Sequence, residues 1–499
     1  MSLSAAFNII SSSFAANATQ SAVVSKNIAN VNTPGYSRES AGVVTNFYGG
    51  ADVASITRIA NAALAEQAAT SAAEAAAQQA ISDGLSTLAQ TVSDSASASA
   101  TSGAYQNGAS PSAMLANLRS ALATYAASPS STPAANAAVA AASNLASSLN
   151  AGSAAVEQVR EKADGDMAAS VKTINALLSQ FKAANDAVVG GLATGANVAS
   201  DEDARDSIVA QLSHEIGVST VVAANGSMSI YADNGVTLFQ DAPRTVAFTP
   251  TATLTAGTNG AAVTVDGVPI TGSSLPNPIH SGALAGYAAL RDNIAPQYQA
   301  QLDQIAAGLI NAFAESDQSP SPTLPLLPGL FTAPSLTSLP SMSAATGLAA
   351  SIEVNASVDP SQGGDATLLR DGGISSPNPA YVYNTTGAAS FTDRIQQLAG
   401  ELSAPQSFDP SAGLAASASL ADYTNASASW VQGENQKASD AASYENAVAT
   451  QARTALSNAT GVNLDAEMTN MLALENAYAS SAKLLTTVNA MFSALLNAA

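Results

Sequence analysis

The strongest constraint in this sequence is a pair of seven-residue apolar repeats, one at each end of the chain. Between Val462 and Ala499, Leu464, Met471, Tyr478, Leu485 and Phe492 form one row, and Leu474, Val488 and Leu495 form a second row three positions on. Rows interleaved at three and four residues make the narrow apolar stripe of a helix that supercoils against other helices. Ahead of Asn30, Leu3, Ile10 and Val24 repeat at seven or its multiples, and Phe7, Phe14 and Ile28 do so four positions later. An amphipathic helix docked on a globular core shows a related stripe. Chain ends usually fray, however, and here they carry the cleanest periodicity. The two termini are therefore expected to be two halves of one coiled coil. Polar residues interrupt both stripes, Asn17 and Ser21 in one and Ser481 in the other. Neither helix is then expected to be stable alone, and the ends are expected to order only when subunits stack.

Composition narrows the function classes. The apolar content of 47% is nearly half alanine and aromatics make up 5%, so the interior must be built from thin helix contacts. With no cysteine, disulfides, thiol catalysis and thiolate metal sites are excluded. No Lys or Arg precedes Lys26 and no long apolar run follows Met1, so no cleaved secretory signal is expected. The Ala-rich runs are broken by Asn and Ser, so no membrane span is expected either. Net charge is −21, and all of that surplus lies in residues 51 to 450, because the first 50 residues carry +1 and residues 451 to 499 carry −1. Near-neutral ends can pack against copies of themselves while an acidic middle stays solvated. Nucleic acid is not an expected partner, since phosphate contacts need clustered Lys and Arg and the chain has 16 in all.

Along the chain, the first helix is expected to stop at Asn30-Val31-Asn32-Thr33-Pro34-Gly35-Tyr36, where Pro-Gly reads as a turn. From Asp52 to Asp94 the pattern is read as helical, with Ile56-Thr57-Arg58-Ile59 leading into an Ala-rich run. The Ser/Ala/Gly stretch Ser93 to Ser110 breaks it. Helix is expected again from about Ser112 to Ala127, and from Thr132-Pro133 to Asn150 or onward to Val189, with Thr as cap and Pro in the first turn. The cluster Asp201-Glu202-Asp203-Ala204-Arg205-Asp206 lacks the Gly and Glu positions of a calcium loop, and acidic residues favouring a helix N-terminus account for it. Beyond Gly217 the period changes to two, with Asn225-Gly226, Asn234-Gly235 and Asp266-Gly267 as tight turns between short strands. Helix is expected from Ser281 to about Ala314, and from Ser390 to Ser457, where the single Trp430 reads as a packing residue.

These strings carry a resemblance. Asn30, Asn32, Thr33, Pro34, Gly35 and Tyr36, placed directly after a heptad-patterned helix, resemble the signature of flagellar axial proteins, the rod, hook and hook-associated subunits. Ile56-Thr57-Arg58-Ile59 with Leu64 and Gln67, Ala126-Ala127-Ser128-Pro129-Ser130-Ser131, Arg205-Asp206, and Ser281-Gly282-Ala283-Leu284-Ala285-Gly286-Tyr287 to Asp292 are similar to the hook-associated protein 1 family of hook–filament junction subunits. Gly329-Leu330-Phe331, Ile352-Glu353-Val354-Asn355, and Gly461 to Met468 with Ala477-Tyr478 and Thr487 to Phe492 extend the likeness. Asn136 and Ser481 stand where such families often have Arg and Asn, and the segment between Phe331 and Ile352 is too short for the extra β domain of larger members. The resemblance implies a secreted structural subunit of the bacterial flagellum at the hook–filament junction. The partners it implies are copies of itself in a ring-like layer, the hook protein, the next hook-associated protein and a flagellar export chaperone, with no nucleic acid and no membrane. The alternative readings are another axial subunit such as the hook protein, or an extracellular adhesin or an enzyme confined to residues 217 to 385.

Looked at as chemistry, the chain offers little. His214 and His280 are its two imidazoles, and neither has metal-ligand spacing; Gly190-Gly191 and Gly195 lack the Lys-Ser/Thr of a phosphate loop. No catalytic residue, cofactor site or metal site is expected. The fold class expected is mainly α: an elongated multi-domain rod with terminal helices forming a coiled coil, a helical middle domain and a small β-rich subdomain. The divisions expected are 1–50 with 455–499 (terminal coiled coil, inner tube), 51–216 with 281–317 and 386–454 (helical), 217–280 (β-rich) and 318–385 (Pro/Gly-rich, irregular). The assembly interface is expected on the fourteen apolar residues of the two terminal stripes.

Overall fold

The computed structural model describes residues 3–93, 110–334 and 336–498. Most of the Ser/Ala/Gly stretch expected to break the second helix, residues 94–109, lies outside the described residues. The fold is mainly α. Helix α1 (Leu3–Ala29) leads into a two-stranded antiparallel hairpin, β1 (Glu39–Thr45) with β2 (Ala51–Arg58). There follow α2 (Ala62–Gln90), α3 (Pro111–Ala127), α4 (Thr132–Thr194) and α5 (Ala199–Glu215). Local chemistry sets these ends. Asn61 caps α2 by accepting from the Leu64 amide at 3.1 Å, Ser131 caps α4 by accepting from Ala134 at 3.3 Å, and α4 closes on Gly195 in the left-handed conformation (φ 73°). At 63 residues, α4 is one unbroken helix through the place where a stop near Asn150 was an open option.

The period-two region folds as read. A four-stranded antiparallel sheet holds β3 (Val218–Val222), β4 (Met228–Ala232), β5 (Thr237–Gln240) and β6 (Ala242–Pro243). Beside it lies a three-stranded sheet of β7 (Val246–Ala247), β8 (Thr264–Val265) and β9 (Val268–Pro269). Helix returns as α6 (Ala283–Ala289), a π-helical turn at Leu290–Ile294, and α7 (Ala295–Ala312). The irregular segment contains β10 (Phe331–Thr332) paired with β11 (Glu353–Val354), and single turns of helix at α8 (Leu348–Ser351) and α9 (Leu368–Asp371). Helix α10 (Asp393–Glu401), the short pair β12 (Pro405–Ser407) and β13 (Ser417–Ser419), α11 (Leu420–Thr460) and α12 (Leu464–Ala498) complete the chain.

Two hydrophobic cores result. The larger is built from the second half of α2, α3, the first part of α4, α7, α10 and α11, with Leu118, Leu122, Tyr125, Tyr298 and Phe313 fully buried. The second lies under the β-rich region and takes Met167, Ile174 and Phe181 from the far part of α4, with Phe181 and Phe239 edge to face at 4.8 Å. Between the cores sits a charged layer. The π-turn carries Arg291, fully buried, whose guanidinium donates to Asp292 (2.8 Å) and to the Ala261 carbonyl (2.8 Å) and pairs with Asp164 of α4. Arg160 of α4 donates to the carbonyls of Leu254 and Arg291. A buried ion pair tolerates that environment only when its remaining donors are satisfied, and here backbone carbonyls do so. The alanine content is used around α2, where Ala73, Ala77 and Ala80 lie against the start of α6, and on the antiparallel α11, where Ala438, Ala442, Ala449 and Ala452 are buried.

One expectation is corrected. Ile56, Thr57 and Arg58 are read above as the lead-in to a helix, but they lie in β2, paired with Ala41, Ser40 and Glu39 of β1. β-branched residues gather on both sides of the Asn46–Gly50 turn, and Gly49 takes φ 85° there, so cross-strand pairing wins over the weak helical pattern. Helix begins at Ala62.

Candidate assembly interface

The terminal helices pair antiparallel. Phe14 meets Tyr478 edge to face at 4.9 Å, and Asn27 Nδ2 donates to Glu467 Oε2 at 3.2 Å. Of the residues predicted on α1, Ile10 and Val24 are buried, Leu3, Phe14 and Ile28 are half-buried, and Phe7 is exposed. On α12, Val488 is buried and Met471, Leu474, Leu485 and Phe492 are half-buried, whereas Leu464, Tyr478 and Leu495 are exposed. The structure thus brings part of the predicted set together between α1 and α12 and leaves the rest at the surface. Six of the exposed apolar residues of α12 fall on two flanks, while Tyr478, which meets Phe14, and Leu496 lie on the α1-facing line. With about 100° between successive residues, Leu464, Met468 and Leu472 lie on one side of the α1-facing line and Leu484, Met491 and Leu495 on the other. All six are exposed. A helix pair that has buried its own seam therefore still presents apolar surface on both sides.

A polar residue fixes the register of the pair. Asn27, fully enclosed, donates to the Glu39 carbonyl (2.9 Å) as well as to Glu467, while its Oδ1 accepts from the Glu39 amide (3.0 Å) and from the Tyr36 hydroxyl (2.8 Å). Burial, and then the carboxylates Glu39, Asp203 and Glu467, push the Tyr36 phenol well above its usual range, so it stays a neutral donor. The expected motif builds the turn that makes this possible. Asn30 Nδ2 donates to the Lys26 carbonyl (2.9 Å), Thr33 Oγ1 donates to Asn30 Oδ1 (3.1 Å), and Gly35 adopts φ 79°. Asn32, Thr33, Pro34 and Gly35 are exposed, while Asn30 and Tyr36 are partly covered. Sequence reasoning missed Asn27, Glu39 and Glu467. A signal existed for the last, since Glu467 stands one heptad before Leu474 in an apolar row, where a polar residue specifies register.

A second polar joint ties this terminal pair to the helical body. Arg58, at the end of β2, donates to Glu202 (2.9 Å) and Asp203 (3.0 Å) and pairs with Asp206 (2.7 Å), all on the first turns of α5. The Ser37 amide donates to Asp203 Oδ2 (3.0 Å), and Lys26 Nζ donates to Ser200 Oγ (3.0 Å) while pairing with Glu39. The acidic run read above as a helix-start preference is thus also a three-carboxylate receptor for one arginine 144 residues away in sequence. Its neighbour Arg205 points elsewhere, donating to the Gly226 carbonyl (2.7 Å), and burial lowers its pKa.

No arrangement for bond-making chemistry emerges among the described residues. His214 lies beside Glu215 and His280 is exposed, and no group of three or more His, Cys, Asp or Glu is placed to hold a metal ion. A cavity of about 250 Å³ lies between Arg160, Asp292, Asp303 and Asp409. Its most perturbed group is Asp303, pushed up to about 6 by burial against the pull of the Ala349 and Gly347 amides and Gln299 that donate to it. It serves as the cap of α8. No described helix is long and apolar enough to cross a membrane.

Comparison with known families agrees with this geometry. Residues 104–319 match the flagellar hook-associated protein FlgK helical domain, and residues 455–498 match the C-terminal domain of the flagellar basal body rod FlgEFG proteins. The two matches together span more than half of the chain, and they fall on the helical body and on α12. The chain therefore carries a helical domain of the FlgK type and a C-terminal domain of the flagellar rod type. Among solved structures, that of the flagellar hook junction protein FlgK from Burkholderia pseudomallei matches with 22% identity and a TM-score of 0.42, over 54% of this chain and 46% of that one. The chain thus spans less than half the length of that FlgK structure in the match. No curated protein sequence matches the chain.

Proposed function

We propose that this chain is a structural subunit of the bacterial flagellum that joins hook to filament and templates filament assembly. The observation that carries the reading is the terminal pair: α1 and α12 bury a common seam and still expose apolar residues on both flanks of α12, on a segment that matches the rod family's C-terminal domain. Such a pair is complete only with neighbours on each side, as in a tube wall. In this reading residues 1–50 with 455–499 form the inner tube, and residues 51–216, 281–317 and 386–454 form the lateral helical layer. The β-rich 217–280 and irregular 318–385 lie further out, and all the interface residues named at the termini take part in the stacking. Partners are further copies of the chain in a ring-like layer, the hook protein below and the next hook-associated protein above. A flagellar export chaperone covers α12 before secretion. The terminal helices order fully on stacking, since ordering free ends alone costs entropy that the neighbours' contacts offset. The role requires no catalytic group.

The test is electron microscopy of a deletion strain together with an assay for flagellin in the medium. Hooks without filaments and flagellin shed as monomer are expected. Missing hooks would move the subunit to the hook or rod, and normal filaments would end the structural reading.

A further inference from the structure

The β1–β2 hairpin ends in the most exposed aromatic residues of the described structure. Phe47 is 97% exposed and Tyr48 70%. The tip carrying them is rigid: Asn46 Oδ1 accepts from the Tyr48 and Gly50 amides (3.1 and 2.8 Å), Asn46 N donates to the Gly50 carbonyl (2.7 Å), and the two rings stack edge to face at 5.5 Å. Two large apolar rings held out on an ordered turn are costly to leave in water and match the anchors that fill pockets at protein interfaces. Asp52 is exposed one strand pair behind the tip, opposite Val44.

We propose that the Phe47–Tyr48 tip docks on the Leu484–Leu495 flank of α12 in a second copy of this chain, with Asp52 facing Lys483. The inference rests on the reading of the chain as a self-stacking subunit, and it names which surfaces meet. Three observations support that occupant. The flank is apolar and unpartnered, with Leu484, Met491 and Leu495 exposed on one side of α12. Charge is complementary at the edge of the flank, because Lys483, the single basic residue of α12, is exposed about 100° around the helix from Leu484 on the side away from α1, while Asp52 is the exposed acid of the hairpin. The heights also agree. The tip lies over Ile9 and Ser12 of α1, for a Cβ placed on Gly49 or Gly50 would touch those side chains. The contacts Phe14 with Tyr478 and Asn27 with Glu467 set the antiparallel register, which puts Ile9 level with the region of Lys483 and Leu484. Copies set side by side without axial shift would therefore bring one copy's tip to the next copy's flank.

The proposal is tested by replacing Phe47 with the photo-crosslinker p-benzoylphenylalanine in the full chain, irradiating cells with assembled flagella, and mapping the products by mass spectrometry. The expected product is a dimer of this chain linked from position 47 to the peptide around Leu484–Leu495. A link to another protein, a link within one chain, or no link would overturn the proposal. Charge reversal supplies a second readout on exposed positions that leave the fold intact. Asp52→Lys or Lys483→Asp alone should lower dimer yield roughly 3- to 10-fold, and the double reversal should restore it; equal yields in all three would overturn the pairing. If the deletion strain makes normal filaments while the purified chain still gives the mapped dimer, the flagellar reading fails and this contact stands. Loss of filaments with a crosslink mapped elsewhere has the opposite meaning.

Discussion

Replacing Arg58 by alanine removes the hairpin's own cation that pairs with the carboxylates of α5. Its side chain is 10% exposed and lies at 2.7 to 3.0 Å from three carboxylates that are 12 to 36% exposed. Breaking a fully buried ion pair costs about 3–5 kcal/mol and an exposed pair at most about 1 kcal/mol. A half-covered cluster with three mutually repelling acids left behind falls between, at about 2–3 kcal/mol of docking free energy. The loss is local, so a whole-chain melting temperature is the wrong observable for a chain with two cores. Native-state amide exchange over residues 39–58 is the right one, where 2–3 kcal/mol corresponds to about 30- to 150-fold faster opening. The helical body should keep its protection. High salt should weaken the wild-type hairpin and leave the variant unchanged, since at 1 M the screening length shrinks to about 3 Å. Exchange in the hairpin altered less than about threefold would refute the assignment of this joint to Arg58.

Other perturbations follow from the same geometry. Asn27→Ala leaves the Glu39 amide and carbonyl, the Tyr36 hydroxyl and one Glu467 oxygen without their partner, and should destabilise α1–α12 pairing by about 2–3 kcal/mol; unchanged exchange at the start of α12 would contradict this. Asp303 titrates at about 6 instead of 3.8, so the unfolded chain holds fewer protons on it than the folded chain, and its contribution to stability is present at low pH and lost as pH rises through 6. Relative to Asp303→Asn, wild type should therefore lose roughly 1 kcal/mol between pH 5 and pH 7.5 in denaturant titrations, and parallel pH profiles would exclude it. Gly282→Ala must place a Cβ 2.4 Å from Ile216 Cα at φ 87°, which should cost more than about 2 kcal/mol and loosen α6 from the β-rich region. A denaturation midpoint equal to wild type would show that the backbone there yields freely.

What could be read from sequence follows the range of the interactions involved. The heptads located α1 and α12, and Leu474, Leu485 and Val488 do face the seam, because a periodic stripe is a local property. The Asn-Gly and Asp-Gly pairs located the β-rich turns for the same reason. The hairpin was illegible from its own strands: Ile56-Thr57-Arg58 reads as helix until β1 is recognised as its partner, and the pairing depends on a turn with little more than Asn46 and Gly49 to announce it. The acidic run before Ile208 was legible as a helix start and illegible as a receptor, since nothing near it in sequence indicates Arg58. Leu464 and Leu495 lie in the apolar rows yet remain in solvent, for a heptad repeat reports that a surface wants covering and not which molecule covers it.

The length of α4 has a mechanical consequence. One helix of 63 residues, about 95 Å at 1.5 Å per residue, contributes side chains to both hydrophobic cores and carries Arg160 and Asp164 of the charged layer between them. A chain with two cores joined by a loop would bend there under load. Here twisting one core against the other must strain a continuous hydrogen-bonded helix and shear a buried guanidinium away from its carboxylates. The body therefore resists twisting as a single stiff beam, while the Arg58 joint couples it to the terminal helices through half-covered ion pairs that salt can weaken.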